Sequence, residues 1–249
     1  MRITTLGSNG TYPTPGHPTA GYLLQHGGTS IWIDAGSGTF AALQNVIDFA
    51  NLDALVLSHV HADHCLDVFG YFYAVRYGGR PRTGIPTYVP AGLVERLTGF
   101  LGDPDHELGE TLDFRVMADG DGATVGEIRF EFAITDHPVP TLGMRAVASN
   151  GRVFAYSADT GPRGEWARIA AGADLFLCEA TYQGAAEEKP WSHHLTAGEA
   201  GQIARRADAA RLLLTHIWPT LDPDRSLQEA EFTFGKPVSL AVPGMVVSA

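Results

Sequence analysis

The segment at positions 58–64, Ser-His-Val-His-Ala-Asp-His, directly follows the apolar stretch Ala54–Leu57. Its potential metal ligands are His59, His61, Asp63 and His64. Imidazole and carboxylate are the usual nitrogen and oxygen ligands of zinc. On an extended segment residues 59, 61 and 63 share one face, and a turn into a helix near Leu66 would direct Asp63 and His64 toward a second metal. A loop of solvated histidines is the alternative, but this density of ligands in one short loop favours metal binding.

One segment cannot supply two complete metal sites, so further ligands must come from the ends of later strands. Three candidates each follow an apolar strand, namely His137, Asp159 and His216. Layered α/β proteins collect their chemistry at such strand ends. Taken singly, each residue could be an ordinary polar side chain at a strand terminus. Their repeated placement favours a shared metal site.

Short apolar runs alternate with helical patterns along the chain, which predicts one layered α/β domain over residues 1–249. The predicted strands are Arg2–Leu6, Gly21–Gln25, Ser30–Asp34, Ala54–Leu57, Ile128–Ile134, Arg152–Ser157, Leu175–Glu179 and Arg211–Thr215. The predicted helices are Thr39–Ala50, Leu66–Tyr77, Ala91–Leu101, Glu165–Ala171, Thr196–Ala207 and Pro223–Phe232. Thr196 and Glu199 have the spacing of a capping box, and Asp222 precedes a proline at the first helical position. Glycine- and proline-rich stretches at 78–82 and 102–105 are interpreted as turns within this domain.

The composition argues against several functional classes. The net charge is −11 and no block is rich in Lys and Arg, so long nucleic acids are not expected as partners. No window approaches the roughly 20 apolar residues that span a bilayer, and no signal peptide is recognisable, which predicts a cytoplasmic protein without membrane contact. Two cysteines are too few for a disulfide framework. Cys178 is interpreted as a core residue, and Cys65 is not needed in the ligand set.

The order of these ligands, His59-x-His61-x-Asp63-His64, then His137, Asp159 and His216, resembles the metallo-β-lactamase superfamily over nearly the whole chain. The resemblance implies an α/β fold, the four-layer αβ/βα sandwich, with two zinc ions in a groove at one edge. It implies that His59, His61 and His137 bind one ion, that Asp63, His64 and His216 bind the other, and that Asp159 bridges them. Manganese, iron or nickel could replace zinc, because affinity order alone does not select the metal.

Further motifs resemble the ribonuclease Z-like phosphodiesterase branch. They are Leu6–Gly10, Asp34–Gly36, Cys178–Thr181, His194–Ala197 and Leu214–His216. This resemblance implies that His194, paired with Glu179, lies over the scissile phosphate as a general acid, and that Asp63 orients the attacking water. A carboxylate beside an imidazole favours its protonated form, which suits that role. Two alternatives stay open: His193 could face the site instead, and His194 could simply precede a helix cap.

Two departures from this branch concern the substrate. Ala158 stands before the bridging Asp159 where the family has glycine, a small change that should preserve the ligand. Only residues 138–158 lie between His137 and Asp159, whereas tRNA-processing members carry a long basic arm there. The chain is more similar to an armless group of actinobacterial cyclic-AMP phosphodiesterases. We therefore expect hydrolysis of a small phosphodiester, such as a 3′,5′-cyclic nucleotide.

Other functions remain as alternatives to this one. They are tRNA 3′-end cleavage, hydrolysis of a thioester, lactone or aryl sulfate, and a metal-binding scaffold without turnover. The resemblance also suggests a homodimer, which no residue pattern tests. Four aromatic residues could stack on a base, although aromatic residues are more often core: Tyr12, Phe69, Tyr73 and Trp218.

Overall fold

A computed structural model of the chain describes residues 1–79, 81–102 and 106–249, so parts of the turn-rich stretches at 78–82 and 102–105 lie outside it. The described strands form two seven-stranded sheets. In spatial order, the first sheet contains Val246–Ser248 (β14), Arg2–Gly7 (β1), Gly21–His26 (β2), Thr29–Ile33 (β3), Ala54–Val56 (β4), Ile85–Pro90 (β5) and Leu112–Met117 (β6). The second contains Val238–Leu240 (β13), Leu212–Thr215 (β12), Leu175–Glu179 (β11), Val153–Tyr156 (β10), Leu142–Ala148 (β9), Ile128–Ile134 (β8) and Gly122–Val125 (β7).

Helices cover the outer faces of both sheets. They are Thr39–Gln44 (α1), Ala62–Cys65 (α2), Val68–Tyr77 (α3), Leu93–Leu101 (α4), Glu107–Thr111 (α5), Trp166–Ile169 (α6), Ala197–Arg206 (α7) and Pro223–Phe234 (α8), with 3₁₀ turns at Phe49–Asn51 and Ala186–Glu188. Side chains alternate across each strand, so each sheet can bury both faces. In β3, Ile31 and Ile33 face the core shared with the second sheet, whereas Trp32 packs edge-on against Tyr71 of α3. The four-layer sandwich implied by the resemblance is therefore confirmed.

The strand order brings the ends of parallel strands together. In the second sheet β10, β11 and β12 run parallel, and Asp159, Glu179 and His216 lie at or just beyond their carboxyl ends. In the first sheet β3 and β4 run parallel, and Asp34 and the segment 58–64 follow them. Polar side chains from both sheets therefore lie at one edge of the sandwich.

All eight predicted strands are present, with each bound within one residue of its prediction. The predicted helix 39–50 is wrong in its second half, because α1 ends at Gln44 and Asp48 caps a separate 3₁₀ turn. The predicted helix 66–77 begins two residues later, at Val68, and ends at Tyr77 as predicted, while a separate short helix, α2, precedes it at Ala62–Cys65. A continuous helix would need a hydrogen bond from Asp67 N to the Asp63 carbonyl. Instead, Asp67 N donates to the Ala35 carbonyl and the Asp63 carbonyl accepts from Ala20 N, so the helix is interrupted between α2 and α3.

The other predicted helices need smaller corrections. The helix expected at 91–101 begins at Leu93, because Gly92 has φ 81°, and the one expected at 223–232 continues to Phe234 and ends at Gly235, with φ 78°. The helices expected at 165–171 and 196–207 are shortened to α6 and α7. The strands and α-helices that were not predicted from the sequence are β5, β6, β7, β9, β13, β14, α2 and α5. Within the described ranges, none of the helices combines the length and apolar character needed to cross a bilayer.

Candidate metal centre

The segment that follows β4 enters a turn and then a short helix. Ser58 and His59 are fully buried, and Ser58 donates from its backbone N and Oγ to the Asp34 carboxylate at 2.7 and 2.8 Å. His61 is the N-cap of α2, so Asp63 lies within that helix. The expectation of an extended segment with residues 59, 61 and 63 on one face is therefore wrong at Asp63, whose side chain is directed by the first turn of α2.

A first group of ligand atoms comes from His59, His61, His137 and Asp159, and these atoms all lie within 4.8 Å of one another. The Nδ1 atom of His61 lies 3.1 Å from His59 Nε2 and 3.2 Å from His137 Nε2. Asp159 Oδ2 lies 3.6 Å from His59 Nε2. Three imidazole nitrogens and one carboxylate oxygen thus converge, which is a donor set suited to a tetrahedral divalent cation.

A second group contains Asp63, His64 and His216, also within 4.8 Å of one another. Asp63 Oδ2 lies 3.2 Å from His216 Nε2 and 3.7 Å from His64 Nε2. The second oxygen of Asp159, Oδ1, lies 3.3 Å from His64 Nε2 and 3.5 Å from His216 Nε2. Asp159 therefore presents one oxygen to each group, which is the geometry of a carboxylate between two cations.

Two buried atoms at the centre of this cluster support a cation there. Among the described residues, His64 Nε2 and Asp159 Oδ1 lack a hydrogen-bond partner, although they lie only 3.3 Å apart. Buried polar atoms are almost always satisfied in folded proteins, and a bound metal ion is a standard reason for an exception. The residues therefore fit a divalent cation, both in donor chemistry and in the unsatisfied atoms that they direct at its position.

Protonation states in the first group also suit metal binding. Burial lowers the pKa of His59 well below its usual value, and it lowers the pKa of His137 to about 4. Both rings are therefore neutral at pH 7, which is the form that binds a metal. Burial would raise the pKa of Asp63, but the neighbouring His64 and His216 outweigh it and lower this pKa to about 2. The neutral His59 and His137 rings beside ionised carboxylates attract a cation.

Asp34 orients His64, one member of the second group of ligand atoms. It is fully buried with a φ of 54°, and its Oδ2 accepts from His64 Nδ1 at 2.8 Å and from the Tyr156 hydroxyl at 2.7 Å. With Nδ1 bound in this way, the His64 ring directs Nε2 toward Asp159 and His216. Partners of this kind set the tautomer and orientation of metal-binding histidines. Asp34 lies in the Asp34–Gly36 motif. The sequence alone assigns no role to Asp34, because its contact with His64 joins residues 30 positions apart.

Two further histidine ligand candidates have comparable partners. His137 Nδ1 donates to the His193 carbonyl at 3.2 Å. His216 Nδ1 lies 2.9 Å from Thr181 Oγ1, which itself donates to Glu179 Oε2 at 2.7 Å. The orientation of these rings is therefore set by the segments that carry Glu179 and His193, so the metal-binding groups and the Glu179 region form one connected network.

Four residues of this region have positive φ without being glycine. They are Thr11 at 70°, Asp34 at 54°, Ala158 at 51° and His216 at 58°. Such backbone costs of the order of 1–3 kcal/mol for a non-glycine residue and persists where surrounding contacts determine it. At Ala158 the left-handed backbone is one that glycine would adopt without strain. The expectation that this substitution leaves Asp159 in position agrees with the geometry, because Asp159 reaches both groups.

Glu179 and His194 lie beside the metal-binding groups. His194 Nδ1 lies 2.9 Å from Glu179 Oε1, and the His194 ring stacks on His216 with centroids 5.6 Å apart. Glu179 is 1% exposed and also accepts from the backbone N of Thr160 and Leu195. Burial alone would lower the pKa of His194, but the Glu179 carboxylate outweighs it and raises this pKa to about 9. His194 can therefore hold a proton next to the centre.

The geometry distinguishes His194 from His193. His194 belongs to a group of ligand atoms with Asp159 and His216, all within 4.8 Å of one another. The His193 side chain instead turns to Asp136, with its Nδ1 3.5 Å from Asp136 Oδ1. Asp136 in turn pairs with Arg163 at the surface. His194, rather than His193, is therefore the imidazole that faces the centre.

The cysteines lie outside these groups of ligand atoms. Cys65 Sγ donates to the Val60 carbonyl, and burial raises the pKa of the thiol to about 12, so it stays protonated. Cys178 is fully buried in the core under α7. Both observations agree with the interpretation of the cysteines as structural residues.

The aromatic residues proposed for stacking are dispersed. Phe69 stacks on Phe100, and Tyr73 stacks on Tyr77, so both belong to the helical face of the first sheet. Trp218 contacts Tyr182 edge-on and is thus nearer the site. The structure adds an aromatic residue that the sequence did not indicate: the ring of Trp191 lies 5.7 Å from that of His194.

Comparison with known proteins decides the family. The family model for the beta-lactamase superfamily domain matches residues 29–217. An uncharacterized protein of Mycobacterium tuberculosis is 36% identical over 248 residues, covering 97% of this chain and 90% of that protein. The chain belongs to the metallo-β-lactamase superfamily.

Two more relatives of this superfamily cover nearly the whole chain. The probable metallo-hydrolase YhfI of Bacillus subtilis is 30% identical over 99% of both chains, and its crystal structure matches with a TM-score of 0.88 at 27% identity, covering 100% of this chain and 98% of that one. Ribonuclease Z of Thermobifida fusca is 28% identical, covering 96% of this chain and 92% of that protein. As a metallo-β-lactamase superfamily member with this cluster of ligand atoms, the chain is a metal-dependent hydrolase.

Proposed function

We propose that the chain is a dinuclear zinc phosphodiesterase that hydrolyses a small phosphodiester, most simply a 3′,5′-cyclic nucleotide such as cyclic AMP. The observation that carries this proposal is the position of His194 and Glu179 beside two groups of metal-ligand atoms that share Asp159. Ester hydrolysis that expels an alkoxide needs a proton donor at the leaving oxygen. A protonated His194 next to a two-cation centre meets that requirement.

In this proposal, His59, His61 and His137 hold one zinc ion, Asp63, His64 and His216 hold the other, and Asp159 binds both. When bound, the two cations supply positive charge to the phosphate oxygens and lower the pKa of a coordinated water to about 7. Nitrogen and oxygen donors suit zinc and also manganese, iron or nickel. Both sheets contribute ligands, so we infer that residues 1–249 act as one catalytic domain.

The residues of the chain position the attacking and leaving groups. Asp63 Oδ2 accepts from the backbone N of Thr11 at 2.9 Å, which fixes this carboxylate to orient the attacking water. The water oxygen bonds to phosphorus as the bond from phosphorus to the ribose oxygen breaks. His194 gives its proton to that departing oxygen, and Glu179 stabilises the imidazolium before the transfer.

A small substrate is favoured by the short interval between two ligands. Most of residues 138–158 lie in β9, β10 and the turn that joins them, with Ala148 N bonded to the Arg152 carbonyl. This tight hairpin offers no extended basic arm. At a net charge of −11, the chain also lacks the general attraction that a long polyanion needs.

The second candidate is tRNA 3′-end cleavage, which the similarity to ribonuclease Z of T. fusca favours. That alignment spans 296 positions while taking in 96% of this chain, so the relative carries insertions that this chain lacks. A substrate panel on the zinc-loaded protein separates the candidates: cyclic AMP, cyclic GMP, bis-p-nitrophenyl phosphate, a precursor tRNA and a lactone. We expect turnover of a cyclic nucleotide. Turnover of only the precursor tRNA or the lactone would refute the proposal.

A further inference from the structure

The indole ring of Trp191 lies exposed next to the candidate site. Its centroid is 5.7 Å from that of His194 and 6.4 Å from that of His137. Trp191 is 47% exposed, whereas Trp32 and Trp166 are buried in the cores. Leaving a large apolar ring in water gives up the free energy that burial would provide. An exposed indole beside a catalytic imidazole is therefore placed to be covered by a ligand of that site.

The segment that carries Trp191 is anchored on its amino-terminal side. Lys189 Nζ donates to the His194 carbonyl at 2.9 Å and pairs with Glu199 Oε2 at 2.6 Å. The Lys189 side chain is only 6% exposed, so this contact is largely shielded from water. Because Lys189 and His194 are held together, the intervening residues form a closed loop on the start of α7.

The same segment is anchored on its carboxyl-terminal side. The His193 carbonyl accepts from His137 Nδ1 at 3.2 Å. The Ser192 carbonyl packs so closely on Gly161 that a Cβ at position 161 would lie 2.5 Å from it. The backbone on both sides of Trp191 is thus fixed to the residues that form the site. The backbone of Trp191 is therefore held in position before any ligand binds, which lowers the entropy cost of using its ring for binding.

We propose that Trp191 is the platform on which the nucleobase of the substrate stacks, an inference that rests on the proposed function. In a cyclic nucleotide the base is separated from the phosphate by one ribose ring. A phosphate bound between the two metal-ligand groups and next to His194 therefore leaves the base close to the Trp191 indole. Every base has a π face, so stacking contributes affinity and selects nucleotides over base-free phosphodiesters without reading a particular base.

The test compares the wild type with Trp191→Ala, Trp191→Phe and the control Phe232→Ala, which removes an 88% exposed ring from α8. The substrates are cyclic AMP and its abasic analogue, 1-deoxyribose 3′,5′-cyclic phosphate. Binding of the slowly hydrolysed phosphorothioate of cyclic AMP is measured by calorimetry as a readout independent of turnover. Metal content is determined for each protein.

Stacking on an aromatic side chain is worth about 1–3 kcal/mol per base, or roughly a 5- to 150-fold change in affinity. We expect Trp191→Ala to raise the KM for cyclic AMP and the Kd of the phosphorothioate by a factor in that range. Its kinetics on the abasic analogue and its metal content should not change. Trp191→Phe should retain most of the affinity, and Phe232→Ala should match the wild type.

Equal KM and Kd values in the wild type and Trp191→Ala would overturn the stacking role while leaving the phosphodiesterase proposal intact. An equal loss on cyclic AMP and on the abasic analogue would also overturn it, because the ring would then act on the reacting groups and not on the base. A wild type that hydrolyses no cyclic nucleotide would refute the proposed function instead. In that case the phosphorothioate titration still decides the stacking role, and absence of binding overturns it.

Discussion

At the scale of single residues, the Glu179–His194 pair determines where a proton is held in this site. Four donors converge on the buried Glu179 carboxylate: the backbone N of Thr160, Thr181 and Leu195, and the Thr181 hydroxyl. This carboxylate therefore stays ionised and fixed, with its Oε1 facing His194 Nδ1. The remaining nitrogen of His194, Nε2, is therefore the one that the proposed mechanism assigns to the substrate oxygen.

Replacing His194 by Ala should separate turnover from metal binding. We expect kcat for the phosphodiester substrate to fall by about 10²- to 10⁴-fold, the usual contribution of a general acid, while the metal content stays at the wild-type level. Asp159→Ala should lose metal as well as activity, because Asp159 faces both groups. Steady-state kinetics and elemental analysis provide the two readouts, with His26→Ala as a histidine control away from the centre. Normal turnover by the His194→Ala protein would contradict the role of this residue.

Asp34 should affect the metal without touching it. Its carboxylate orients His64 through Nδ1 and is itself held by Ser58 and Tyr156. Outer partners of this kind are worth about 10- to 100-fold in metal affinity. We therefore expect Asp34→Asn to raise the zinc Kd of the second group by that factor, measured by competition with a chromophoric chelator. Asp53→Asn, which alters a carboxylate bonded to Ser30 N, is the control. An unchanged zinc Kd in the Asp34→Asn protein would show that His64 is oriented by other contacts.

At the scale of elements, the start of α7 supports the segment that carries His194. Thr196 and Glu199 form a complete capping box: Glu199 N donates to Thr196 Oγ1 at 3.1 Å, and Thr196 N donates to Glu199 Oε2 at 2.9 Å. Glu199 Oε2 also accepts from Lys189, whose Nζ donates to the His194 carbonyl. The cap thus stabilises the helix and holds His194 at the same time.

Removing this cap should reduce both stability and activity. Thr196→Ala should lower the free energy of unfolding by about 1 kcal/mol, the usual cost of a lost N-cap side chain. It should also lower kcat, because the His194 segment loses an anchor. Asp222→Ala is the matched control, since it removes the N-cap of α8, where Asp222 accepts from Asp224 N. Urea unfolding should give similar losses for both variants, whereas only Thr196→Ala should lower kcat. Equal activities of the two variants would contradict the link between the cap and His194.

The sequence predicted elements best where an apolar run ends at a polar residue. All eight strands of that kind are present, and their ends carry His59, His137, Asp159 and His216. The strands β5 and β9 were missed for physical reasons. The first contains Pro86 and Pro90, which are unfavourable within a sheet, and the second contains Gly143 and Arg145, which weaken its apolar pattern. Short edge strands such as β13 and β14 have too few residues for any periodicity to be recognisable.

The site was predicted less completely than the fold. Its ligand candidates have recognisable types and spacing, and the structure brings all seven together. The supporting contacts could not be predicted, because they join residues far apart in sequence, such as Asp34 to Tyr156. No sequence pattern indicated that Trp191 lies next to the site. Its position depends on Lys189 and Gly161, and nothing in the local sequence indicates that the loop is fixed against the site.

At the scale of the whole molecule, the centre joins the two halves of the sandwich. The first sheet contributes the segment 58–64, and the second contributes His137, Asp159 and His216. Ligands that bind the folded state alone stabilise it in proportion to their affinity and concentration. Cations at this centre would therefore stabilise the packing of one sheet on the other as well as the local loops.

Removal of metal should therefore lower the thermal stability of the protein. At a zinc concentration about 1,000 times the Kd, one site stabilises the fold by about 4 kcal/mol, which corresponds to about 8–16 °C in Tm for a chain of this size. We expect a decrease of at least this order when a chelator is added, and recovery when zinc replaces it. The Tm is measured by calorimetric scans before and after chelation. A Tm that does not respond to chelator or zinc would show that the cluster binds no ion in the folded chain.

The central claim is that two cations and the residues around them perform phosphodiester hydrolysis. The most direct test is to titrate zinc into the metal-free protein while following the hydrolysis of cyclic AMP. The two groups of ligand atoms that share Asp159 predict that turnover rises and reaches its plateau at two equivalents of zinc per chain. A plateau at one equivalent, or no turnover when both groups are filled, would contradict the account.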